Sequence, residues 1–497
     1  RYASFIYLGS GRYGYAAASE YYLGRPLSSY TQDDAGSAAL LAGIGKSPRL
    51  YAPVPGNQRP IKRRNQVLTL MARNGAIPES LAQRCQDEPI RTVPPHPVKT
   101  DAPAAIGHIL DELTQHGGSR FGVEDLFQGR IEVRSTVDAR VQRIVNDALE
   151  HGLARYEKRH PRGKGLIQGS VVVLGNADAA VLAEAGGRRV YGDRDSRYSD
   201  LNRVTGSLRQ PGSAMKPLVY LAAFEKGLGL DATVPDEPIE VPLGTDAGTK
   251  WVENYDNQFK GPMPARQALS ESRNAVAVWI AREIGVDTVI ETSRQMGIRS
   301  PLQPYLSTAL GASEVRLLEL ADAYRSMASG VLAEPHVIDR VTDFFGEGLY
   351  AAPQAGREIG SAALRSIQEG LRGVVRLPDG TAHSLDTADF PIPVMGKTGT
   401  TSDFRDALFV GSTYGTAGIT VAVRVGFDDN RPLGEKETGG RAALPIFREI
   451  MLQVYKDRLV GQVPQFPREI EDGIDQYLAL QAGPELARNG RDPEPPR

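Results

Sequence analysis

The sequence contains a single cysteine, Cys85, in 497 residues. An intramolecular disulfide is therefore excluded, as is a thiolate metal cluster. Such poverty fits an exported chain that avoids stray oxidation, although many cytosolic proteins share it. Basic and acidic residues nearly cancel, 58 against 60, and leave a net charge of −2. That balance gives no reason to expect nucleic acid as a partner. No run of 18 apolar residues occurs, so no membrane span is expected within the chain. The sequence opens on Arg1 without a signal peptide. It reads as processed or as a fragment, with any N-terminal membrane anchor expected upstream of residue 1. Histidines are few, and none shows metal-ligand spacing, so neither a metal nor a cofactor is expected. His96, His108 and His116 read as surface residues. His336 and His383 carry no local signature of a Ser-His-Asp triad.

What remains is an ordinary globular composition, 41% apolar and 24% charged, with length for two or three domains. Residues 1–85 read as mainly helical, with segments at Ser37–Ala42 and Lys62–Ala72 bounded by Gly and Pro. Gly9-Ser-Gly11-Arg-Tyr-Gly14 matches a dinucleotide-binding pattern. No second strand or acidic residue completes a βαβ unit, so it reads as a turn. Residues 86–130 form a Pro-containing linker with one helix over Ile106–Thr114.

From residue 131 the pattern changes. Ile131–Thr136 alternates as a strand, and Asp138 caps a helix through Leu153. Ser170–Leu174 and Ala180–Ala185 are apolar strands joined by a turn. Helices are expected at Pro264–Leu269, Ala275–Ile284, Glu314–Ala328 and Ala362–Val375. Strands return at Ile392–Thr398, Asp406–Ser412 and Ile419–Gly426. Two strands before the helices and three after predict an α+β domain over 131–459, with a five-stranded antiparallel sheet flanked by helices. A tail over 460–497 is expected to be loosely ordered beyond residue 480.

Inside this second region, Ser213 falls in the first turn of an expected half-buried helix, where backbone N–H groups favour negative charge. Lys216 follows three residues on, so its amine can return to the serine oxygen. A lysine serves as base for a serine only if burial or a second cation lowers its pKa. Two further signals follow in order, Ser272-Arg-Asn274 and Lys397-Thr-Gly-Thr400. Singly these fit a helix cap, a polar turn and a solvated strand end. Together they point to one chemistry.

The three motifs resemble the signature of penicillin-interacting serine acyltransferases. Their flanks, Asn202-Arg203, Arg209-Gln-Pro-Gly212, Leu310-Gly-Ala-Ser-Glu-Val315 and Asp403-Phe-Arg-Asp406, resemble the transpeptidase domain of class A, bifunctional penicillin-binding proteins. Nearer the N-terminus, Tyr21-Tyr-Leu-Gly24-Arg25, Ala39-Leu-Leu-Ala-Gly43 and Arg63-Arg-Asn-Gln-Val67 resemble the C-terminal part of a lysozyme-like family 51 glycosyltransferase domain. That domain's catalytic glutamate motifs have no match here, so glycan polymerisation is not expected of this chain. Tyr21, Arg63 and Arg64 are expected either to wall a glycan groove or to be core or solvated residues.

The resemblance implies peptidoglycan D,D-transpeptidation on the periplasmic or outer face of the bacterial cytoplasmic membrane. Ser213 would form an acyl-enzyme on a D-alanyl-D-alanine stem peptide, Lys216 would act as base, and Ser272 would relay a proton. Asn274 would hold the donor peptide. A charged Lys397, with Thr398 and Thr400, would read its carboxylate, while Gly399 lets substrate lie along the strand edge. The oxyanion hole would come from the N–H groups of Ser213 and Thr400. The implied partners are stem peptides, with an amine acceptor, and β-lactams, plus a lipid-linked disaccharide for a complete glycosyltransferase domain. A D,D-carboxypeptidase or β-lactamase-like hydrolase, and a non-catalytic cell-wall scaffold, are the alternatives these motifs leave open.

Overall fold

The computed structural model describes residues 6, 8, 14–53, 57–93, 101–118, 120–188, 201–242, 248–354 and 356–482. The Gly9–Gly14 pattern (all but Gly14), His96 and the tail beyond residue 482 lie outside these. The chain forms two compact units. The first comprises residues 1–100, 110–134 and 340–351, and the second comprises 101–109, 135–339 and 352–497. The expected boundaries at 85, 130 and 459 are linear along the chain; these units interleave.

The first unit is built on helices Tyr15–Leu23, Ala35–Ile44, Arg59–Arg73 and Glu79–Asp87. Small Ala39 lets the second helix pack closely, and its two sides feed two apolar clusters. One gathers Tyr22, Leu40, Leu41 and Ile44; the other gathers Leu68, Ile77, Leu81 and Cys85. Arg64 is buried and donates to the carbonyls of Glu88 at 2.8 Å and Gln86 at 3.0 Å. It ties the helix Arg59–Arg73 to the C-terminal end of the helix Glu79–Asp87. Tyr21 packs edge-on against Tyr22, and Arg63 lies over the Tyr51 ring.

The second unit holds the five-stranded sheet. Its strands are β1 (Gln168–Gly175), β2 (Val181–Ala185), β3 (Met395–Thr400), β4 (Asp406–Ser412) and β5 (Ile419–Gly426). Their spatial order is β3-β4-β5-β1-β2, and every neighbouring pair is antiparallel. The chain thus enters at one side of the sheet and completes it from the other. Central strand β5 is buried along its whole length, as expected for a strand covered on both faces.

Side chains alternate between the faces. One face meets α1 (Ala139–Arg159) and a C-terminal helix, Leu444–Lys456. Asp138 caps α1 as expected, accepting from the N–H groups of Arg140 and Val141. The other face meets α4 (Leu317–Ser329) and α5 (Ala362–Arg376), and α2 (Lys216–Glu225) packs on α5. Between these in sequence runs α3 (Asn274–Ile284), which packs on α2. Residues Lys216 to Phe224 of α2 are all buried. The expected half-buried helix is in fact enclosed on every side, because α3 and α5, from later in the sequence, pack against it.

One local expectation fails. His108 is not a surface residue: its ring stands 2.8 Å from the fully buried Glu184 carboxylate. Within the expected tail, Arg468–Ala482 is helical, with Glu471 paired to Arg372 and Arg376 of α5.

Candidate active site

Residues Gly212–Met215 form a single 3-10 turn, and the α-helix begins only at Lys216. Ser213 therefore sits just ahead of α2, on a turn that presses against β3. Gly212 has φ of +55°, and a Cβ there would lie 2.6 Å from the Thr400 carbonyl oxygen. A Cβ on Gly399 would lie 2.6 Å from the Pro211 carbonyl oxygen and 3.2 Å from Ala214 Cβ. Only backbone fits between turn and strand. The side of Gly399 on which a Cβ would stand faces the serine turn.

The flanks of that turn are also tied down. The Tyr324 hydroxyl donates to the Ala214 carbonyl at 2.7 Å. Arg209 and Val315 exchange backbone hydrogen bonds of 3.1 and 2.9 Å. Gly311, at φ +76°, closes against Gly212, where its own Cβ would meet the Gly212 nitrogen at 2.5 Å. The sequence segment from Leu310 to Val315 thus buttresses the serine turn from behind.

Lys216 is fully buried. Its Nζ lies 2.5 Å from the Ser272 carbonyl, 3.1 Å from Ser272 Oγ and 2.7 Å from Asn274 Oδ1. The helical spacing predicts an amine turned back to Ser213. It is held instead by the Ser272–Asn274 elbow, and the Ser213 hydroxyl has no partner among the described residues. Burial drives the Lys216 pKa well below its ordinary value, with further repulsion from Lys397 and Arg273, while Asp236 opposes the shift. A neutral amine has two N–H donors and one lone pair. Of its three neighbours only the Ser272 hydroxyl can donate, so in the neutral form that hydroxyl points its proton at Nζ.

The elbow has an uncommon backbone. Ser272 has φ of +62°, a conformation that costs an L-residue roughly 1 kcal/mol or more and needs support from its surroundings. Asn274 opens α3; its Nδ2 donates to the Glu253 carbonyl at 2.8 Å while Oδ1 faces Lys216.

Lys397, in the middle of β3, is also fully buried, and its Nζ contacts the Thr398 carbonyl at 3.3 Å. Burial lowers its pKa to about 7, so near neutrality it is protonated in only part of the molecules. Thr398 Oγ1 donates to Thr381 Oγ1 at 2.9 Å, and Thr400 Oγ1 accepts from the Gly439 N–H at 3.1 Å. Thr400 keeps its hydroxyl proton free to donate.

The structure therefore brings Lys216, Ser272 and Asn274 into direct contact. It sets Lys397 close enough to repel Lys216, and seats Ser213 against the Gly399–Thr400 end of β3. Sequence reasoning misses Asp236, Asn254 and Arg273, which hold the elbow. Arg273 stands inside the Ser272–Asn274 motif, but its two partners have no pattern around them. Among the described residues no helix is long and apolar enough to cross a membrane, and no acidic, histidine or cysteine group suits a metal ion.

A serine turn docked on the edge strand of a five-stranded antiparallel sheet, with a buried lysine one turn on, defines the class. Residues 169–452 match the family described as penicillin binding protein transpeptidase domain, and the chain belongs to that family. Residues 1–72 match the family described as transglycosylase. The succession of the two is that of the class A, bifunctional penicillin-binding proteins. Penicillin-binding protein 1A of Aquifex aeolicus is 31% identical over 524 residues, covering 90% of this chain and 70% of the relative. Its counterpart in Rickettsia typhi is 25% identical, covering 95% and 72%. Among solved structures, penicillin-binding protein 1A from Haemophilus influenzae superposes with a TM-score of 0.73 at 22% identity, covering 94% of this chain and 86% of that one. The penicillin-binding protein PonA1 from Mycobacterium tuberculosis gives 0.60 at 22% identity, covering 73% and 94%. These two support the fold.

Proposed function

We propose that this chain cross-links peptidoglycan stem peptides as a serine D,D-transpeptidase, with Ser213 as nucleophile and Lys216 as its base. The observation that carries this reading is the buried Lys216 amine, held by Ser272 and Asn274 and repelled by a second buried lysine. A lysine so placed gives up its own proton more readily than an ordinary lysine and can accept the Ser213 proton.

Ser213 Oγ attacks the carbonyl between the two D-alanines as Lys216 takes the hydroxyl proton. The carbonyl oxygen, now negative, is met by the N–H groups of Ser213 and Thr400, a pairing that the close approach of Gly212 to Thr400 supports. Collapse breaks the peptide bond. The departing D-alanine amine takes a proton from Ser272, which recovers one from Lys216. An acceptor amine then attacks the ester, returns a proton along the same path, and releases Ser213. Asn274 positions the donor peptide. The donor carboxylate raises the proton occupancy of Lys397, so substrate binding itself completes the cation that binds it. Thr400 offers its free hydroxyl proton to the same carboxylate, and Thr398 braces the strand through Thr381.

On the same reading residues 1–85 are a glycosyltransferase-related domain whose complete form uses a lipid-linked disaccharide. Residues 86–130 are a linker, 131–459 the transpeptidase domain and 460–497 a tail. β-Lactams, which mimic the D-alanyl-D-alanine end, acylate Ser213. The activity belongs on the periplasmic or outer face of the cytoplasmic membrane.

Intact mass after incubation with penicillin, followed by peptide mapping, tests the assignment. One adduct on the peptide carrying Ser213 supports it, and an adduct elsewhere refutes it. Rapid turnover of a chromogenic cephalosporin would favour the hydrolase.

A further inference from the structure

Behind the elbow lies a buried ion pair that the transpeptidation steps do not use. Asp236 ends the short strand Thr233–Asp236 and is fully buried. Its carboxylate accepts from Arg273 Nε at 2.9 Å, Asn254 Nδ2 at 2.8 Å and the Lys260 N–H at 2.9 Å. Arg273, itself buried, also reaches Asp256 at 2.8 Å, the Gln258 carbonyl at 2.5 Å and Glu271 at 3.9 Å. Asn254 turns its other amide atom toward α3. Oδ1 accepts from the N–H of Asn274 at 2.7 Å and of Ala275 at 3.2 Å. Because no residue at the start of α3 caps it locally, this distant side chain supplies the cap.

One carboxylate therefore fixes the elbow twice. It grips Arg273, the residue between Ser272 and Asn274, and it orients the amide that holds the first N–H of α3. Ser272 keeps its left-handed backbone only if its neighbours are held this firmly. We propose that Asp236, acting through Arg273 and Asn254, is the positioning residue that aims Ser272 and Asn274 at Lys216 and balances the guanidinium charge beside that amine. The proposal rests on Lys216 being the base.

The charges give the proposal a distinctive readout. Lys216 faces Lys397 and Arg273, which lower its pKa, and Asp236, which raises it. The Tyr220 phenol on α2 also faces Asp236, and burial with that carboxylate pushes its pKa up. Asp256 and Glu271 lie beyond Arg273. Neutralising Asp236 removes an influence that raises the Lys216 pKa, so the pH at which the amine becomes basic falls. Neutralising Arg273 has the opposite sign.

The experiment measures acylation of the full chain by fluorescent penicillin from pH 5 to 10, with a thermal melt of each variant. Asp236→Asn should acylate more slowly by about tenfold to a hundredfold, as misplaced catalytic groups do, with the pH midpoint moved down. Arg273→Gln should be similarly slow with the midpoint moved up. In the double variant neither charge is left unpaired, so the melt and the midpoint should return while the rate stays low. Asp236→Asn with the wild-type rate and midpoint would overturn the proposal. A double variant whose rate recovers along with its melt would also do so, since the pair would then serve stability alone. If Asp236→Asn does not fold, Asn254→Ala keeps the ion pair and removes the cap. A loss of rate at an unchanged midpoint supports the proposal there, and an unaltered rate overturns it. Failure of the wild-type chain to be labelled at Ser213 would sink the parent reading instead.

Discussion

Lys216 and Asn274 stand 58 positions apart in sequence and meet at 2.7 Å, amine to amide oxygen, in the interior of the second unit. That contact links the helix that follows the serine turn to the helix that follows the elbow. It makes the site a property of packing between α2 and α3.

Ser213→Ala should abolish covalent penicillin labelling. The Ser213 hydroxyl has no partner among the described residues, so stability should change by no more than about 0.5 kcal/mol. Gel fluorescence and a thermal melt check both halves, and persistent labelling would place the nucleophile elsewhere.

Lys397→Met should remove a buried group whose proton is weakened by folding. With a folded pKa of about 7 against an ordinary 10.5, the unfolded chain binds more protons between those values. The wild type therefore gains stability as pH rises from about 7 to about 10.5. The melting advantage of Lys397→Met should be greatest at pH 7 and below and fade toward pH 10.5. An advantage constant across that window would contradict the burial argument. Labelling by penicillin should fall sharply at every pH.

Gly399→Ala should push the serine turn off β3, because its methyl would meet the Pro211 carbonyl oxygen at 2.6 Å. Overpacking of this kind costs about 1–3 kcal/mol. A shift of the nucleophile by even 1 Å costs about a hundredfold in rate. Acylation kinetics that match the wild type would show that turn and strand can part without consequence.

Tyr324→Phe should loosen the turn more gently. It deletes the hydrogen bond to the Ala214 carbonyl, a loss of about 1 kcal/mol. A lowered melt with a modest drop in acylation rate is expected. An unchanged melt would mean that this bond adds nothing net.

The sheet is legible in the sequence wherever a strand is bounded by its own composition. For Asp406–Ser412 and Ile419–Gly426 the sequence pattern and the structure agree on both ends, because short polar turns flank continuous apolar runs. Helix α5 is nearly as clear, since Ser361 caps it and Arg376 ends it. The three motifs are legible because each keeps its chemistry within four residues. The rest is hidden by distance. Nothing around Lys397 announces that its amine will be shut away from water. Asp236 and Asn254 act on the elbow from 37 and 20 residues away respectively, a separation no local pattern records. The enclosure of α2 likewise depends on α3 and α5, which arrive later in the chain.

The interlock of Gly212, Gly311 and Gly399 limits how this family member can escape antibiotics. Three remote stretches converge on one point where no methyl group is tolerated. Adaptive change therefore has to be recruited from the rim of the cleft and from the loops that shape it. The seam on which the serine rides is closed to it.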